Sequence, residues 1–223
     1  MTSPHSTAAE TGDTAGKAEE RSNLYGFLAM IHRQEPSADL LQQFRGEEFL
    51  AALSDAGVTL GRAFLDGAAD ALADDLAVEY TRLFVGPGKH IPPYESVQRE
   101  GTLWGGTTRD VAAFVERCGF AYDPGYRGLP DHISVELEFM HELTRREAAA
   151  WTRGDEAEAR RCLRIEREFL HDHLVRWAPE FSDKVVAETR TPFYKELAAL
   201  TGDFIRRDDE DVARRIGNGV DRD

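Results

Sequence analysis

Lysine is scarce in this chain: only four of its 27 basic residues are Lys, against 41 Asp and Glu, and the formal net charge is −14. Nucleic-acid binding rewards basic patches, so this balance excludes that class of partner and favours a basic one. Cysteine is also rare. Cys118 and Cys162 stand far apart, form no CxxC and fall at apolar positions of helical runs, so they read as buried thiols of a reducing compartment. No apolar run reaches the roughly 18 residues of a membrane span, so stable membrane insertion is not expected. The first 19 residues, MTSPHSTAAETGDTAGKAE, lack an apolar segment and do not read as a secretory signal. They read as a disordered lead-in, and the expected location is cytoplasmic. There is no alternating strand pattern, no Asn-Gly hairpin signal and no internal repeat.

What remains is helical periodicity. Leu24, Phe27, Leu28 and Ile31 form one stripe, and Leu72, Leu76, Tyr80 and Leu83 another. Ile133, Leu137 and Met140 follow the same rule, as do Leu163, Leu170, Leu174 and Trp177. Spacings of three and four mark helices with one face turned to a core. Pro179 and Pro192 mark helix starts, where a missing N–H costs nothing. The expected fold is all-α: a single domain of about eight to ten packed helices. It should occupy residues 20–207, between the disordered segment 1–19 and a polar C-terminal tail over 208–223.

Two loops interrupt the helices, and the first holds GPGK, residues 86–89. A phosphate-binding loop needs GxxxxGK[ST] between a strand and a helix. Here Leu83 stands where the first Gly belongs, His90 replaces Ser or Thr, and the preceding element is helical. That reading fails three times. Pro87, Pro92 and Pro93 stiffen the loop, and a stiff loop loses less entropy on binding. The second loop ends in LPDHISVELEFM, where Asp131 reads as the N-cap and His132 as a first-turn residue. An Asp displayed there also suits a bidentate bond to an arginine of a partner.

Metal and nucleophile chemistry find less support. His132 and Glu136 are one turn apart, and His171-Asp172-His173 is similar to a fragment of an all-α metal phosphohydrolase site. Residues i and i+2 of a helix point about 200° apart, so His171 and His173 do not share one ion. There is no HExxH and no GxSxG, and neither Cys has a His nearby in sequence. No cofactor, metal site or catalytic residue is assigned.

Four segments together resemble one family. They are LYGFLAMIHRQEPSADLL, EYTRLFVGPGKHIPPYESV, LPDHISVELEFM, and FLHDHLVRWAPEF followed by TPFYKELAALTGDFI. In this order they resemble the TorD/DmsD family of redox-enzyme maturation chaperones, with its NarJ-like relatives. The resemblance implies an all-α fold without catalysis. It implies a cytoplasmic chaperone that binds the twin-arginine leader, the apo form, or both, of a molybdoenzyme catalytic subunit, assisting cofactor insertion and delaying export. A NarJ-like chaperone for a non-exported subunit is the first alternative, and a metal-dependent phosphohydrolase the second.

By motif match the peptide-binding residues are Leu83, Phe84, Pro87, Pro93, Tyr94, Glu95 and Ser96 from the first loop, and Pro130, Asp131 and His132 from the second. Tyr25 is added from the first helix. Asp131 and Glu95 are expected as guanidinium partners, with Tyr94, Leu83 and Phe84 as the apolar wall. His132 is expected to make binding pH-sensitive near neutrality. Monomers and domain-swapped homodimers are both compatible with long hinge loops.

Overall fold

The computed structural model describes residues 4–122 and 128–220. Among them, the spacings of three and four become eleven α-helical segments. They are α1 (Pro4–Arg33), α2 (Ala38–Phe44), α3 (Glu47–Asp55), α4 (Arg62–Asp66), α5 (Ala69–Tyr80), α6 (Glu95–Glu100), α7 (Gly106–Arg117), α8 (Ile133–Thr152), α9 (Glu156–Asp172), α10 (Ala178–Glu188) and α11 (Pro192–Val220). A π-helical turn, Thr81–Val85, continues α5, and a 3-10 turn, Leu174–Arg176, precedes α10. The number exceeds the expected eight to ten because one-turn segments such as α4 carry no periodicity to read. No strand is present among the described residues. A single bridge joins Tyr94 to His132.

Local chemistry sets several of the ends. Ser37 caps α2 by accepting from the Leu40 N–H, and Asp155 caps α9 by accepting from Glu158. Pro179 lies in the first turn of α10 and Pro192 opens α11, as their missing N–H groups allow. Both cysteines are buried free thiols.

One continuous apolar core runs through the fold, from Leu28 and Leu41 to Phe181, Leu197 and Ile205. The helix α1 lies along α8, α8 packs on α9, and α11 packs on both α9 and α10. The α1–α8 approach is close at Gly26, where a Cβ would come within 3.0 Å of the His141 ring. His141 Nδ1 is 2.8 Å from the Ser22 carbonyl one turn earlier.

The termini differ from expectation. α1 already begins at Pro4, and α11 continues well past 208 to Val220. Residues 1–3 and 221–223 lie outside the described residues. For α11 the physical reason is a buried arginine. Arg21, near the middle of α1, donates to Asp208 of α11 at 2.5 and 3.0 Å, to Glu147 of α8 at 2.8 Å and to Glu166 of α9 at 2.6 Å. The Tyr25 hydroxyl donates to the same Asp208 at 2.6 Å, and the Trp151 indole N–H to Glu147 at 2.8 Å. Asp208, read in sequence as the first residue of a fraying tail, is 3% exposed.

Three carboxylates around one guanidinium leave an excess of negative charge away from water. Burial, together with Glu147 and Asp208, outweighs Arg21 and pushes Glu166 up to about 8, so Glu166 keeps its proton at neutral pH. Arg215 of α11 lies 4.0 Å from Glu147. With Glu166 protonated, two guanidinium groups face two carboxylates and the site is balanced.

Replacing Arg21 with Met should therefore destabilise the fold by about 3–5 kcal/mol in urea denaturation, because it strands buried carboxylates. Glu166→Gln, which mimics the protonated acid, should cost much less. Equal losses in the two variants would contradict the charge assignment.

Candidate functional site

The two loops singled out in sequence meet in space. The Ile133 N–H donates to the Pro93 carbonyl at 2.9 Å, and the Glu95 N–H to the Asp131 carbonyl at 2.9 Å. These bonds flank the Tyr94–His132 bridge, and the two rings meet edge-on with centroids 5.0 Å apart. Pro93, Tyr94, Glu95, Ser96, Pro130, Asp131 and His132 thus form one unit joining the starts of α6 and α8.

Asp131 supplies the cap for the wrong helix, judged by sequence. Its Oδ2 accepts from the Ser96 N–H in the first turn of α6 (3.0 Å) and from the Thr108 hydroxyl of α7 (3.2 Å). The residue that caps α8 is His132, whose Nδ1 accepts from the Ser134 N–H at 3.2 Å. The swap follows from backbone direction. His132 has the extended conformation of an N-cap, φ −75° and ψ 138°, which leaves Asp131 pointing across the bridge.

The expected guanidinium partners are therefore internal. Asp131 and Glu95 are both 0% exposed. Glu95 receives Arg99 from its own helix and lies 2.9 Å from His173 Nδ1 at the end of α9. Beneath it, Glu136 accepts from the Trp177 indole at 3.1 Å. Burial, with Glu95 and Asp131 beside it, raises the Glu136 carboxyl well above its usual range. The raised carboxyl of Glu136 eases the crowding of three acids in one buried corner.

Leu83 and Phe84 also lie inward, as core residues rather than an exposed wall. Phe84 packs its ring against Tyr80, Phe181 and Tyr194. The π turn places them there: Gly86 donates to the Thr81 carbonyl five residues back at 2.6 Å. A Cβ at Gly86 would sit 3.1 Å from that carbonyl. Beyond the turn, the Ile91 N–H returns to the Leu83 carbonyl at 2.7 Å, and Gln98 holds the Pro92 carbonyl at 2.7 Å. Only the tip between them is open, with Pro87, Lys89 and His90 exposed. Tyr94 is half-buried and Pro130 intermediate. Tyr25 is not part of this unit. It lies in the Arg21 cluster, fully buried.

His132 is corrected as a pH sensor. Burial lowers its pKa to about 4, so its ring is neutral throughout the physiological range. His32 of α1, which bonds the Thr201 hydroxyl at 3.0 Å, is lowered to about 3 by burial and by His132. The histidines set out for a metal are dispersed. His171 is exposed, while His173 is buried against Glu95. Among the described residues, no group of three or more His, Cys, Asp or Glu is arranged to hold an ion.

Sequence reasoning missed a groove beside this unit. It has a volume of about 190 Å³ and lies on the outer face of α8. Val115, Phe120, Val135 and Phe139 line it, with Arg33, Glu138 and Glu142 at its polar margin. The ion pairs Arg33–Glu138 and Arg145–Glu142 are exposed, so they are weak and exchangeable. Val135, Glu138 and Glu142 recur at spacings of three and four, the one signal that could have placed them on a common face of α8.

The comparisons with known proteins agree with this architecture. The family model described as nitrate reductase delta subunit matches residues 46–183. A chaperone protein TorD of Photobacterium profundum is 26% identical over 85% of this chain and 93% of its own length. A selenate reductase assembly chaperone protein of Thauera selenatis is 34% identical over 59% of this chain and 67% of its own. A perchlorate reductase assembly chaperone protein of Dechloromonas aromatica is 32% identical over 50% and 49%. Among solved structures, a protein of Archaeoglobus fulgidus, provisionally described as a redox enzyme maturation protein, has 25% identity and a TM-score of 0.51. That match covers 83% of this chain and 93% of the other.

Two outcomes are expected from this geometry. Asp131→Ala leaves the Ser96 N–H and Thr108 hydroxyl unpaired, so it should cost about 1–3 kcal/mol and speed amide exchange at Ser96. Unaltered exchange there would refute the cross-loop cap. His132→Asn keeps a capping oxygen but cannot titrate. Because the folded pKa of His132 lies below its unfolded value, its contribution is full above about pH 6.5 and is lost as pH falls towards 4. The stability gap between wild type and His132→Asn should therefore shrink over that window, by on the order of 2–3 kcal/mol. A gap independent of pH in denaturation curves would refute the buried neutral ring.

Proposed function

The chain belongs to the nitrate reductase delta subunit family, and from that premise we propose that it is a cytoplasmic, non-catalytic chaperone for the catalytic subunit of a molybdoenzyme. It binds the subunit's twin-arginine leader, its apo form, or both, until the cofactor is in place. The observation that carries this reading is where the match falls: residues 46–183 contain both joined loops and most of the adjoining groove. The names of the relatives, assembly chaperones for selenate and perchlorate reductases, supply the class of client.

The physical requirements of such a ligand support the same reading. A twin-arginine leader offers guanidinium groups beside an apolar stretch, and its receptor needs carboxylates beside an apolar surface. The α8 groove has an aromatic and aliphatic floor with Glu138 and Glu142 at its margin. Asp131 and Glu95 then act by holding the loops in register, while Tyr94, Pro87 and Pro130 offer the accessible surface of the unit. A pre-formed site of this kind lowers the entropy cost of capturing an extended peptide.

The test is an affinity pull-down of the tagged full chain from its own anaerobically grown cells, with mass spectrometry of what is retained. A reductase catalytic subunit with its leader intact is expected. A synthetic leader peptide should bind with Arg-Arg and lose affinity with Lys-Lys. Retention of a subunit that carries no leader would favour the alternative of a non-exported client. Repeated absence of any molybdoenzyme, in cells that express one, would overturn the reading.

A further inference from the structure

Between α6 and α7 the chain turns through residues 101–105 and presents Leu103 and Trp104 to solvent, 48% and 72% exposed. This turn is tied at both ends. Gly101 closes α6 in the left-handed conformation, φ 74°. Glu100 folds its carboxylate over the turn and accepts from the N–H groups of Gly106 (3.1 Å) and Thr107 (2.9 Å), and from the Thr107 hydroxyl. Those N–H groups are the unsatisfied donors of the α7 start, so Glu100 caps one helix from the end of another. The Thr107 and Gly106 donors hold the Glu100 carboxyl below its usual range. A Cβ on Gly105 would collide with this carboxylate.

Inside this rigid turn Trp104 has φ 63°, and it is the one non-glycine residue with positive φ among the described residues. A bulky side chain in that region is strained, and glycine would take it freely. The turn already uses glycine at 101, 105 and 106. Packing gives no reason for tryptophan here, since most of its surface faces water. Strain held in place by a fixed scaffold, with an apolar pair displayed on it, is the signature of a contact residue.

We propose that Leu103 and Trp104 are an anchor that inserts into an apolar, basic-rimmed pocket on the body of the escorted subunit, apart from its leader. This rests on the chaperone reading above. Charge selects a protein over an anionic lipid surface, because the chain carries −14 and such a surface would repel it. Continuity selects the same partner that meets the loops. The Ser96 Cβ lies 3.6 Å from where a Gly105 Cβ would stand, so the turn folds back onto α6, the short helix that the first loop starts and Asp131 of the second loop caps.

Trp104→Gly tests the anchor, because it removes the side chain and relieves the left-handed strain together. The full-length variant should melt at the same temperature or higher. The amount of reductase subunit it retains in the pull-down should fall at least tenfold, while its affinity for the isolated Arg-Arg leader peptide stays unchanged. Equal retention by the variant and the wild type overturns the anchor and leaves the chaperone reading intact. A wild type that retains no reductase subunit overturns both. A lower melting temperature with undiminished retention makes Trp104 a folding residue. Trp104-dependent sedimentation with phosphatidylcholine vesicles, without loss of subunit retention, would assign the pair to lipid instead and also overturn the anchor.

Discussion

A guanidinium taken out of water must be matched by carboxylates, and Arg21 draws them from three other helices. Glu147, Glu166 and Asp208 come from α8, α9 and α11, so one side chain sets the mutual positions of four long helices. The arrangement is costly in isolation, since each carboxylate is desolvated. It is tolerated because Glu166 keeps its proton and Arg215 stands near Glu147. What it contributes is register. α8 can slide along α1 only by breaking these bonds, and α8 carries the end of the second loop at its start and the groove along its outer face.

The candidate site depends on that register. The first loop is held at Leu83, at Pro92 and at Pro93, the last of these by the N–H of Ile133 at the start of α8. Asp131 then fastens α6 and α7 to the same point. Carboxylates that look like ligand-binding groups in the sequence turn out to be the joinery of the loops. The exposed acids lie further along α8, where the helix faces solvent and their ion pairs exchange readily. A buried acid with internal partners stabilises a shape, and an exposed acid beside an apolar floor is available to a ligand.

The all-α class, the helix starts at Pro179 and Pro192, and the two motif loops were legible in the residues, though not that the loops meet. They follow from periodicity, proline chemistry and the resemblance of whole segments. The roles of individual residues were less so. Leu83 and Phe84 could face a groove or a core at the same spacing, and only the π turn decides for the core. Asp131 and His132 compete for one cap, and the backbone angle at His132 decides between them. His173 and Trp177 lie in a segment that carries the resemblance, but their contacts with Glu95 and Glu136, remote in sequence, could not be read from it.

The longer helices, the acidic charge, the failure of the phosphate loop and the resemblance of the segments can all be read along the chain, because each is a property of neighbouring residues or of composition. Which charges are buried and which are free depends on how the helices pack. Arg21 and Asp208 are 187 residues apart, and in the sequence they are two ordinary charges, one of them assigned to a fraying tail. Their pairing exists because helix packing removes both from water, and the free energy of that removal is a property of the assembled core.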